Sequence, residues 1–136
     1  MMTIPRIAAP RILAGAAALL ACLPLSAALA QSTVVDLDTA VRCSAAFGIT
    51  AADQQRGLAS AKQYPPLALR GREFFVQTGA RLMDQQKLSR EQVQARMRAE
   101  VGKLQRETAA ASEPGTAFKA VMTPCLSLLD LTIPAK

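Results

Sequence analysis

The chain has 136 residues, 51% of them hydrophobic, with sixteen Lys and Arg against ten Asp and Glu and no histidine. Without histidine there can be no Ser–His or Cys–His nucleophile pair, no histidine-ligated haem and no histidine metal site. The length allows one small domain, and an exported destination, read from the first residues, disfavours nucleic acid as the partner of the basic charge.

Residues 1–30 read as a secretory signal peptide. Arg6 and Arg11 are the only charges there, an apolar stretch rich in Ala and Leu follows from Ile12 to Leu25, and Ala28-Leu29-Ala30 stands just before Gln31. A charged start, an apolar middle and small residues at the cut are the parts of such a leader, which places cleavage between Ala30 and Gln31. Two other readings stand beside it. An uncleaved anchor needs about 20 apolar residues, and Pro24 interrupts the run before that length. A lipoprotein box, Leu19-Leu20-Ala21-Cys22, would anchor the chain through an acylated Cys22, but the apolar run continues past that cysteine. Cleavage leaves Gln31 to Lys136 as a single helical domain, with fourteen basic residues against ten acidic ones and no stable membrane span. Its two cysteines, Cys43 and Cys125, permit one intramolecular pairing, and an oxidising compartment favours forming it.

Along the mature chain, Asp36, Asp38 and Thr39 offer caps for a first helix. Its core face is Leu37, Ala40, Val41, Ser44 and Phe47, with Cys43 at the edge. Gly48 weakens this helix, and the pattern from Leu37 to Lys62 fits one helix or two. Tyr64-Pro65-Pro66 is a boundary, and Pro66 can open the next helix, over 66–86. There Leu67, Gly71, Phe74, Phe75, Thr78 and Leu82 form an apolar stripe, opposite Arg70, Glu73, Gln77, Arg81 and Asp84. Local ion pairs Arg70–Glu73 and Arg81–Asp84 are expected. This helix is the best-specified element and the expected centre of the core.

Ser89 and Gln92 form a capping box for a third helix carrying Val93, Met97, Val101 and Leu104. Ala109 to Gly115, broken by Pro114, reads as a loop. Phe118, Met122, Cys125 and Leu129 mark a last helical stretch, interrupted at Pro124, where Thr123-Pro124 can cap a new turn. No run alternates as a strand does. The expected fold is all-α: a small bundle of three to five helices tied by one disulfide.

The two mature cysteines are too far apart for a C-x-x-C motif, and no glycine-rich phosphate loop occurs. No catalytic, cofactor-binding or metal-binding residue is therefore assigned, and no enzyme is expected. Three features remain as binding candidates: Phe74 with Phe75 as a pocket lining, the cations Arg90, Arg96, Arg98, Lys103 and Arg106 as an anion-binding face, and Tyr64 as a recognition residue. For each, ordinary packing or a solvated face is the simpler reading.

Four segments, Arg42-Cys43-Ser44-Ala45-Ala46-Phe47, Tyr64-Pro65-Pro66-Leu67, Arg70-Gly71-Arg72-Glu73-Phe74-Phe75 and Pro124-Cys125-Leu126, together resemble small exported two-cysteine helical proteins of Gram-negative bacteria. The resemblance implies an exported helical body and brings no catalytic residues. A looser similarity, limited to size and one long-range disulfide, is to periplasmic acid-stress chaperones. The expected function is that of a periplasmic or secreted accessory or binding protein, its partner a protein or an anionic envelope component. A stress chaperone-like protein and an inhibitor or immunity protein that caps another protein are the alternatives. Protein recovered from its host's envelope is expected to begin at Gln31 and to weigh two hydrogens less than the reduced chain. Intact mass spectrometry checks this, and an uncut chain with free thiols would overturn it.

Overall fold

The structure, a computed structural model, describes residues 35–135. The leader residues Ala30 and Gln31, and Cys22, lie outside them. The described chain is all-α: α1 (Leu37–Gln55), a single 3-10 turn (Ala59–Ala61), α2 (Arg70–Gln86), α3 (Arg90–Ala110) and α4 (Pro114–Thr132). Among the described residues there is no strand, and no helix is long and apolar enough to cross a membrane.

The caps explain the helix limits. Asp36 opens α1, its carboxylate accepting from the Thr39 amide at 3.0 Å. The helix runs through Gly48 and stops at Gln55, because Gly57 adopts the left-handed conformation (φ 74°) and its amide returns to the Gln54 carbonyl at 3.0 Å. Glycine takes that conformation without a side-chain clash. So 37–62 holds one helix followed by a separate turn. Ser89 and Gln92 close the expected capping box on α3.

Two limits differ from expectation. The second helix begins at Arg70, not Pro66, since residues 65–69 cross between helices first. Their backbone groups are satisfied by Gln54, whose amide nitrogen lies 3.2 Å from the Tyr64 carbonyl and 2.9 Å from that of Pro65, while its oxygen accepts from the Leu67 amide at 3.1 Å. The loop expected over 109–115 shrinks to residues 111–113. Pro114 serves as a helix start, where its missing donor costs nothing. The last helix then passes through Pro124 unbroken to Thr132.

The centre of the core is α1, not α2. It packs against α2, α3, α4 and the 3-10 turn. Five consecutive residues, Cys43 to Phe47, are buried, and so are Ala40, Val41 and Thr50. A helix buried all round is packed by neighbours on several sides, and the small side chains Ala40, Ser44, Ala45 and Ala46 let those neighbours approach. Phe47 meets Phe74 of α2 edge-on, ring centroids 5.3 Å apart. Leu104 of α3 and Met122, Cys125 and Leu129 of α4 complete this cluster. A second cluster at the start of α1 joins Leu37 and Val41 to Leu82, Val93 and Met97.

Cys43 and Cys125 are bonded, as expected, with Cα atoms 5.2 Å apart. The bond ties the first helix to the last across 82 positions. Closing a loop of that size stabilises a fold by about 4–5 kcal/mol in the chain-entropy model.

The two local ion pairs expected on α2 do not form. Arg70 instead donates to the Ile133 carbonyl (2.9 Å) and to Asp130 (2.6 Å), so it holds the C-terminal end of α4. Arg81 donates to the Val35 carbonyl at 2.6 Å, ahead of α1. A carbonyl beyond a helix end lacks an internal partner, so it outcompetes an exposed carboxylate one turn away.

Gly71 and Gly48 separate packing from propensity. A Cβ at Gly71 would stand 3.1 Å from the Phe47 Cβ and 3.4 Å from that of Leu67, whereas one at Gly48 would meet nothing within 4 Å. Gly71→Ala is expected to destabilise the domain by about 1–3 kcal/mol. Gly48→Ala is expected to stabilise it by about 0.5–1 kcal/mol. Urea unfolding of both variants checks the pair.

Candidate functional site

Where α1 emerges from the core, Arg42 sits one residue before the disulfide. Its buried neighbours are apolar, so its guanidinium reaches outward across to α3. Nη1 donates to Glu100 at 3.0 Å and Nη2 to Glu107 at 2.6 Å. Seven residues separate the two carboxylates, about two helical turns, which sets both on the side of α3 that faces α1. Lys103, between them in sequence, lies 3.9 Å from each. Nearby, Arg96 bridges Asp38 of α1 and Gln86 at the end of α2.

This network borders two grooves. An apolar one of about 420 Å³ runs over the Cys43–Cys125 bond, between the start of α1 and the middle of α4. A charged one, also about 420 Å³, lies between α1 and α3. A third groove, about 230 Å³, opens at the other end of α1, where Tyr64 packs edge-on against Phe118. A shallower one, about 160 Å³, follows the α1–α2 seam past Gly48 and Phe75.

The expected binding residues divide accordingly. Phe74 is core, and Phe75 is 38% exposed beside the α1–α2 seam, so the two do not line one pocket. Arg96 and Lys103 are engaged with carboxylates within the domain, while Arg90, Arg98 and Arg106 form no ion pair among the described residues. The five cations therefore divide into two paired within the domain and three that are not. Tyr64 lines the third groove, and burial pushes its hydroxyl above the ordinary pKa. Among the described residues no group of three metal-ligating side chains comes together.

Sequence reasoning missed Arg42. Its position in the Arg42-Cys43 segment was visible, but partners 58 and 65 positions away leave no local signal. It also missed Gln54, whose single side chain binds the Tyr64 and Pro65 carbonyls and the Leu67 amide.

Set against models of protein families, curated proteins and solved structures, the chain matches none of them.

The network is titratable from one side. The Glu107 hydrogen bond raises Arg42 above its ordinary value; burial opposes the rise and Glu100 adds to it. In return Arg42 holds Glu107 below the ordinary 4.5. The Thr39 amide likewise holds Asp36 down, and the Glu91 backbone together with the Ser89 hydroxyl lowers Glu91. A carboxylate held low in the folded state binds protons more readily when unfolded. Its stabilisation is complete above the unfolded value and is lost as pH falls through the lowered one. Unfolding midpoints in urea are therefore expected to fall from about pH 5 downward. Arg42→Ala is expected to lower the urea midpoint at neutral pH and to flatten that acid limb, since Glu107 then loses its partner. An unchanged limb would show that the pair contributes nothing.

Proposed function

We propose that the chain is an exported accessory protein of the cell envelope that docks on another protein through the outer face of α2. The observation that carries this reading is a second apolar face on that helix. Phe74, Thr78 and Leu82 are buried in the core, yet Leu69 and Val76 stand 81% and 60% exposed on the other side. With Met83 they recur every seven residues, so they line up along the helix as the seam positions of paired helices do.

Phe75 and Arg72 flank the line toward the α1–α2 seam, where nothing stands above Gly48. Single exposed apolar residues are ordinary, whereas several on one helix face point to an interaction surface. Glu73 and Asp84 border the opposite flank of the stripe. Four side chains cover less than the roughly 800 Å² per partner of a stable interface. The contact therefore extends onto the neighbouring seam. A long-range disulfide suits an oxidising compartment, in keeping with the leader read from residues 1–30.

The test is a photo-crosslinking residue at position 76 in the host, compared with one at the exposed Arg98 of α3. An adduct of defined mass is expected from position 76 alone, and it is expected to disappear when Leu69→Glu is added. Leu69→Glu is a surface change, expected to shift stability by no more than about 0.5 kcal/mol. Equal adducts from both positions, or none, would overturn the reading. An adduct of twice the chain's mass would make the partner a second copy and overturn the accessory role.

A further inference from the structure

Arg42 and Thr39 belong to both of the larger grooves, so the two meet at these side chains. On one side the wall is Ala120, Val121, Pro124 and Leu128 of α4, above the disulfide. Arg42 supplies the one charge that this half contains. On the other side stand Asp38, Arg96, Glu100 and Lys103. At about 420 Å³, either half is within the roughly 300–1,000 Å³ of small-molecule sites. An apolar trough that runs into a charged one calls for an amphiphile.

The charges decide which kind. Arg42, Arg96 and Lys103 face Asp38 and Glu100 in the lining, with Glu107 outside it as the second partner of Arg42. A purely anionic head would meet two carboxylates, and a purely cationic head three cations. A head bearing both charges can set each against its opposite, which like-charge repulsion denies to the others. Arg42 spends two of its five N–H donors on Glu100 and Glu107. Lys103 pairs with both glutamates at 3.9 Å, beyond hydrogen-bonding distance, so a phosphate at closer range would compete with them. The apolar wall from Ala120 to Leu128 is about 12 Å long at the helical rise of 1.5 Å per residue. That is room for one chain of medium length.

We propose that this two-part groove binds a single-chain zwitterionic amphiphile of the lysophospholipid type. Its chain lies along α4 over the disulfide, its phosphate is taken by Arg42 and Lys103, and its ammonium group faces Glu100 and Asp38. The site is separate from the outer face of α2, so the two proposals stand or fall independently.

The experiment is calorimetric titration of the disulfide-bonded chain with dodecylphosphocholine below its micelle concentration. Laurate, dodecyl maltoside and dodecyltrimethylammonium carry the same chain on anionic, neutral and cationic heads. Saturable one-to-one binding of dodecylphosphocholine is expected, at least about tenfold tighter than that of any comparator. Ala120→Glu, at an exposed position on the apolar wall, is expected to weaken dodecylphosphocholine binding about tenfold or more. Lys103→Ala is expected to reduce dodecylphosphocholine to the level of dodecyl maltoside, with circular dichroism confirming that both variants fold. Equal binding of all four would reduce the groove to a non-specific apolar surface and overturn the proposal. So would tighter binding of laurate, which would make it an anion site, and so would no binding at all.

Discussion

Everything in this domain depends on α1 being buried on nearly every side. A helix can be surrounded only if its side chains are small enough for the neighbours to reach it, and the run Cys43-Ser44-Ala45-Ala46-Phe47 meets that condition with one large residue. Phe47 then fills the space that the small residues leave, and Gly71 admits it by having no side chain of its own. Polar groups on such a helix must be satisfied close at hand. Ser44 and Thr50 donate to carbonyls one turn back, Ala40 and Ala46, and so enter the core without an unpaired donor. Arg42, the one charged side chain between Asp38 and Asp53, escapes at the edge and finds two carboxylates there.

The same arrangement explains which parts of the fold were legible in the sequence. The starts of α1 and α3 were, because Asp36 and the Ser89–Gln92 box act on amides three residues away, whereas those of α2 and α4, which have no side-chain cap, were not. The cysteine pairing was legible because two cysteines allow one bond. The identity of the central helix was not. Its amphipathic pattern is weak for the reason that makes it central: a helix apolar on several faces has no contrast to detect. The clear stripe on α2 marks a helix with water on one side, which is the signature of the periphery rather than the centre.

Arg70 and Arg81 failed in a related way. Spacing rules assign an arginine to the nearest carboxylate on its own helix, but an exposed pair of that kind contributes little. In the fold each finds a main-chain carbonyl next to the end of a distant helix, Ile133 after α4 or Val35 before α1, and that contact holds the helix end as well as satisfying an acceptor. Pro124 misled for the opposite reason. A proline ends an isolated helix, yet α4 is held on both sides of it, by the disulfide at Cys125 and by the packing of Met122 and Leu129. A tertiary constraint of several kcal/mol exceeds the roughly 3 kcal/mol that an interior proline costs.

The disulfide also bears on why apolar side chains can remain outside. A domain of about 100 residues is only marginally stable if its core must supply all of the stabilisation. Here a covalent link between the first and last helices supplies part of it, so Leu69, Val76 and the α4 wall need not be buried for the chain to fold. Surfaces released from the core in this way remain available for contact with other molecules. They lie on two different helices, α2 and α4, and differ in chemistry: exposed apolar residues on one, and an apolar trough closed by charges of both signs on the other. A single partner cannot satisfy both equally, because the first rewards shape alone while the second penalises any head of one sign. The fold thus keeps the exposed apolar residues of α2 apart from the groove beside α4, with α1 packed against both helices.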